Sequence, residues 1–61
     1  MSGFFIYADS RGEYRWRLRD NNNKIIAVSG EGYVSEYGAE RAIRNVKIEV
    51  PNAPVYSLVK K

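Results

Sequence analysis

Between Tyr14 and Arg19 apolar and positive residues alternate without a break: Tyr14-Arg15-Trp16-Arg17-Leu18-Arg19. Successive side chains of an extended strand point to opposite faces, so this period of two predicts a strand with two chemically different surfaces. Tyr14, Trp16 and Leu18 form one surface; Arg15, Arg17 and Arg19 form the other. Three arginines buried without partners would carry a heavy desolvation cost, so the apolar side faces the core and the arginine side faces water. Upstream, Phe4-Phe5-Ile6-Tyr7-Ala8 is β-prone and reads as a preceding strand. Asp9-Ser10-Arg11-Gly12-Glu13 between them is turn chemistry, with Gly12 free to take positive φ. Asp20-Asn21-Asn22-Asn23 predicts the next turn, because Asn tolerates the left-handed conformation better than most residues. Ile25-Ile26-Ala27-Val28-Ser29 follows as a third strand, completing an antiparallel meander.

The period then changes. Gly30-Glu31-Gly32-Tyr33-Val34 reads as a loop, and Ser35 as a helix N-cap with Glu36 favourably placed in the first turn. Ala39, Ala42, Ile43, Val46 and Val50 recur at helical spacing as one apolar stripe. Glu40, Arg41, Arg44, Asn45 and Lys47 fill the opposite side, with Glu40 and Arg44 set as an i,i+4 pair. Pro51 and Pro54 end the helix, and Val55-Tyr56-Ser57-Leu58-Val59 predicts a fourth strand. The expected fold is α+β, a single domain over residues 1–61 in the order β-β-β-α-β, with the helix packed on the Tyr14, Trp16 and Leu18 face. One face of the first strand must join that core. The expected arrangement puts Phe4 and Ile6 there and leaves Phe5 and Tyr7 beside the arginines; strand register leaves the opposite choice open.

Composition narrows the chemistry. With 61 residues, 44% hydrophobic and 28% charged, the chain has the make-up of one small globular domain. The absence of Cys and His excludes disulfide bracing, a zinc site built on those ligands and a His-based triad. No apolar run approaches the roughly 20 residues of a membrane span, and no secretory signal pattern opens the sequence, so cytoplasmic residence is expected. Size scaling for 7.0 kDa gives about 10,000 Å² exposed when unfolded and about 4,000 Å² when folded. If roughly 60% of the difference is apolar, burial contributes on the order of 90 kcal/mol, and ordering the chain costs about as much. Association with a second copy is the remaining source of buried area. The net charge of +3 gives only a mild preference for anionic partners.

Several segments fall into one pattern. Tyr14 to Arg19 is followed by an Asn turn and Ile25-Ile26-Ala27, then by Ser29, Glu31-Gly32-Tyr33, Ser35, Ala39, Ile43 and Val46-Lys47. Over residues 4–50 this resembles the YegP-like family of uncharacterised small proteins. The chain departs from the family at Asn22-Asn23, where Asn-Gly is usual, and at Ala42, where Gly is frequent. The resemblance implies a β(3)-α-β unit that joins a second unit in one continuous sheet with exchanged C-terminal strands. In a chain with one unit it implies a homodimer. It implies no catalytic residue.

The candidate site follows from the strand faces. Arg15, Arg17 and Arg19 have a simple reading as a solvated sheet face. Their sharper reading is an anion or single-stranded nucleic-acid surface, with Tyr7 or Phe5 stacking on bases and the arginines meeting phosphates. Against it stand the modest charge and the lack of an RNP-like signature. Gly30-Glu31-Gly32 lacks phosphate-loop spacing, and Glu31 and Glu36 would repel an anion there. Tyr33 reads as an anchor packed beneath that loop with its hydroxyl bonded to backbone, and Trp16 as core. Seven carboxylates scatter among turns and helix with no convergent pair. An enzyme and a cofactor are therefore not expected. The expectation is a non-enzymatic homodimeric binding or structural module. The alternative is weak single-stranded nucleic-acid or nucleotide binding on Tyr7, Arg15, Arg17 and Arg19.

Overall fold

The computed structural model describes residues 1–59. Three antiparallel strands, β1 (Gly3–Ala8), β2 (Tyr14–Arg19) and β3 (Ile25–Val28), lie in the order β1-β2-β3. They are followed by α1 (Glu36–Glu49) and a 3-10 turn over Val50–Asn52.

The turns form for the expected reasons. One carboxylate oxygen of Asp9 accepts from the backbone N–H groups of Arg11 at 2.9 Å and Glu13 at 3.0 Å, and Gly12 takes φ +79°. Asp20 repeats the device toward Asn22 and Lys24 at 2.8 and 3.0 Å. Asn23 there adopts φ +65°, so Asn does fill the left-handed position. A register shift opposite Leu18 and Arg19 follows, and β3 continues past its end alongside β2. The Ser29 N–H donates to the Trp16 carbonyl at 2.9 Å, and Tyr14 and Tyr33 exchange backbone hydrogen bonds of 2.8 and 2.7 Å.

Register settles which pair of β1 residues is inside. Phe4 pairs with Leu18, Ile6 with Trp16 and Ala8 with Tyr14, so Phe4 and Ile6 face the helix. Phe5 pairs with Arg17 and Tyr7 with Arg15, placing both aromatics on the arginine face as expected. Trp16, Ala39 and Ile43 are buried at the sheet–helix junction, with Phe4, Ile6, Tyr14, Tyr33, Ala42 and Val46 packed around them. Phe4 meets Trp16 edge-to-face at 5.4 Å between ring centroids. At the helix start, the Ser35 hydroxyl accepts from the Gly38 N–H at 3.1 Å, satisfying one orphan donor of the first turn. The helix rests on β1 and β2 and makes no contact with β3.

Three expectations are corrected. Val50 lies outside the α-helix proper: it opens the 3-10 turn that Pro51 continues and, though it ends the stripe beside Phe4, Leu18 and Val46, it is exposed. Glu40 and Arg44 form no ion pair; among the described residues the ion pair is Arg15–Asp9. Val55–Val59 carries no strand within the chain, and Val55 and Leu58 are 96% and 94% exposed. A strand exists only through a ladder partner, and this segment pairs with neither edge of the chain's own sheet.

The outline is correspondingly open. The accessible surface is 5237 Å² against about 4,000 Å² for a folded chain of this mass. The radius of gyration is 13.4 Å against about 10.5 Å.

Candidate functional site

The sheet face opposite the helix gathers all four residues of the sequence-predicted site. Arg15, Arg17 and Arg19 run down its central strand, flanked on β1 by Tyr7 and Phe5. On the other side, Val28 pairs with Arg17 and Ile25 with Arg19, and both are exposed. An arginine column thus lies between an aromatic column and an aliphatic one.

The three arginines differ in what holds them. The Arg15 Nε donates to the second carboxylate oxygen of Asp9 at 2.7 Å. That bond, with the backbone donor of Glu13, holds the Asp9 carboxyl below its ordinary range, and the Arg15 guanidinium is raised in return. Arg17 lies over the Tyr7 ring, 4.1 Å from its centroid, a cation–π contact that fixes the guanidinium plane without cancelling its charge. Its Nε is buried with no hydrogen-bond partner. Arg19 donates to the Asn23 carbonyl at 2.8 Å, so the second turn steers it. Arg17 and Arg19 therefore present positive charge with no paired carboxylate, whereas the charge of Arg15 is matched by Asp9.

Sequence reasoning placed the right residues on this face but missed Asp9 as the group that occupies Arg15. The signal was present: an Asp at the mouth of a hairpin, beside the strand that carries the first arginine. The Gly30–Gly32 loop is structural. A Cβ on Gly32 would fall 2.8 Å from the Glu13 Cβ, so only glycine fits. Tyr33 packs into the core through its ring, but its hydroxyl has no hydrogen bond among the described residues.

On the helix side, an apolar cavity of about 260 Å³ lies between Phe4, Leu18, Val46, Val50 and Pro51. A shallower groove of about 580 Å³ adjoins it along the start of β1. Among the described residues no group of His, Cys, Asp and Glu could hold a metal ion, and no helix is long and apolar enough to cross a membrane.

A three-stranded meander backed by one helix, with an uncovered arginine face and an unpaired C-terminal segment, defines a small α+β sheet–helix unit. The chain belongs to the family described as Domain of unknown function (DUF1508), which matches residues 9–57. It is 50% identical over 58 residues to a UPF0339 protein of Methanosarcina acetivorans, covering 95% of this chain and 98% of that one. A UPF0339 protein described as lying in the ptx operon 5' region of Stutzerimonas stutzeri is 42% identical over 92% of this chain but only 50% of its own length. The solution structure of a protein from Haloferax volcanii superposes with a TM-score of 0.87 at 41% identity, covering 92% of this chain and 93% of the other. The YegP-like resemblance agrees with this membership, and no function is assigned to the family.

Proposed function

We propose that the chain works as a non-enzymatic homodimeric binding or structural module in which Val55–Val59 of each copy completes the sheet of the other. The observation that carries this reading is the segment itself. Val55, Tyr56, Leu58 and Val59 are β-forming residues left 96%, 80%, 94% and 74% exposed, while β1 and β3 are open sheet edges. The surface excess of roughly 1,200 Å² over a folded chain of this mass exceeds the about 800 Å² that one partner contributes to a standard stable interface. The Stutzerimonas relative, about twice the length of this chain, is consistent with two such units in one polypeptide.

Light scattering on the full chain and on a variant truncated after Pro54 tests the reading. The full chain is expected at about 14 kDa, twice 7.0 kDa, and the truncated chain as a monomer or unfolded. Isotope-filtered contacts between Val55–Val59 of one copy and strand residues of the other should accompany the dimer. A full chain that stays monomeric at micromolar concentration, or a truncated chain that remains a folded dimer, overturns it.

A further inference from the structure

We infer that the open sheet face is a single-stranded nucleic-acid interface carried by Phe5, Arg17 and Arg19, from which Arg15 and the Tyr7 ring are withdrawn. The division follows from what already occupies each group. Asp9 neutralises Arg15. The Tyr7 ring is capped by the Arg17 guanidinium at 4.1 Å and has no free face on that side for a base. Phe5, by contrast, is 39% exposed, and no aromatic or cation-π contact occupies its ring. It lies directly across from Arg17.

Arg17 and Arg19 stand two residues apart on one strand, about 6.6 Å along the face, and among the described residues neither meets a carboxylate within ion-pair distance. Both are pre-positioned, Arg17 by the Tyr7 ring and Arg19 by the Asn23 carbonyl, so little side-chain freedom is lost on contact with phosphates. A stacking ring beside a row of guanidinium groups on a flat sheet is the combination that holds single strands with little sequence preference. A duplex is disfavoured, because stacking on Phe5 needs a base free of its pair. The occupant is thus a polyanion with exposed planar bases. The inference does not rest on the dimer, since the face lies opposite the helix and uses only β1 and β2.

Fluorescence anisotropy of a labelled mixed-sequence single-stranded oligonucleotide with the full chain at low salt provides the test. Binding should weaken with salt, and the Arg17→Gln, Arg19→Gln double variant should lower the log–log salt slope by about 0.7 per arginine. Phe5→Leu should weaken binding roughly 5-fold or more. Arg41→Gln, which removes one positive charge from the helix, should leave binding within about twofold. In the wild type, amide shifts should centre on Phe5, Arg17, Arg19 and Val28, a readout that stands even where the double variant fails to fold. Lack of binding at low salt overturns the inference, as does equal weakening by Arg41→Gln. So does equal competition by polyphosphate or polyglutamate at matched charge, because those polyanions lack bases.

Discussion

Asp9 holds three groups at once: two backbone N–H groups of its own turn and the Arg15 guanidinium across the hairpin mouth. Its carboxyl is therefore held below the ordinary value of 3.8. A depressed carboxyl stabilises the fold at pH values above its unfolded pKa, and the contribution is lost as pH falls through the lowered folded value. Stability of the wild type should thus decline in the acid range below about pH 4, and Asp9→Asn should flatten that part of the curve. Urea midpoints measured across acid pH check this; parallel curves for the two proteins would count against it. Ser29 has a similar local role in the interior. Its hydroxyl accepts from the Trp16 N–H at 3.3 Å, and the residue is 5% exposed. Ser29→Ala leaves that buried donor unsatisfied and should cost about 1–3 kcal/mol in denaturant unfolding. Asp9 at the hairpin mouth was a visible signal, but neither pairing could be read from the chain alone. Asp9 and Arg15 are linked only once the turn has a shape, and Ser29 looked like the end of a strand rather than a partner of Trp16.

Each strand or helix was as readable as its pattern was asymmetric. β2 announced both faces because charge and apolarity alternate along it. β1 did not, since Phe4, Phe5, Ile6 and Tyr7 are all apolar or aromatic, and only pairing with β2 assigned them. The helix stripe was correct from Ala39 to Val46; Val50 continues it onto the cavity beside Phe4 and Leu18 but stays exposed at the end of the helix. Substitutions at two positions probe these local devices. Ser35→Ala removes the acceptor for the Gly38 N–H and should cost about 1 kcal/mol. At Asn23, φ +65° favours glycine, so Asn23→Gly should be neutral or slightly stabilising, whereas Asn23→Val should cost about 1–2 kcal/mol. Thermal melts of the pair decide it: equal losses for Gly and Val would mean that the left-handed turn is not what Asn23 supplies.

The molecule as a whole is short of partners rather than short of structure. Trp16, Ala39 and Ile43 form a small core, while the Phe4–Leu18–Val46 cavity and the four large apolar residues of the last segment stay open to water. The first 50 residues were legible because their partners lie within the chain; Val55–Val59 was legible only as a propensity, because it pairs with no strand of the chain's own sheet. If folding is completed by a second copy, stability must depend on protomer concentration. Each tenfold rise in concentration favours the dimer by about 1.4 kcal/mol. Spread over the unfolding entropy of two chains of 61 residues, that raises the melting midpoint by about 5 °C. Calorimetry of the full chain over a hundredfold concentration range should therefore show a rise of about 10 °C, and truncation after Pro54 should abolish it. A flat midpoint for the full chain would mean that one copy reaches its stable fold alone, with Val55–Val59 taking no part.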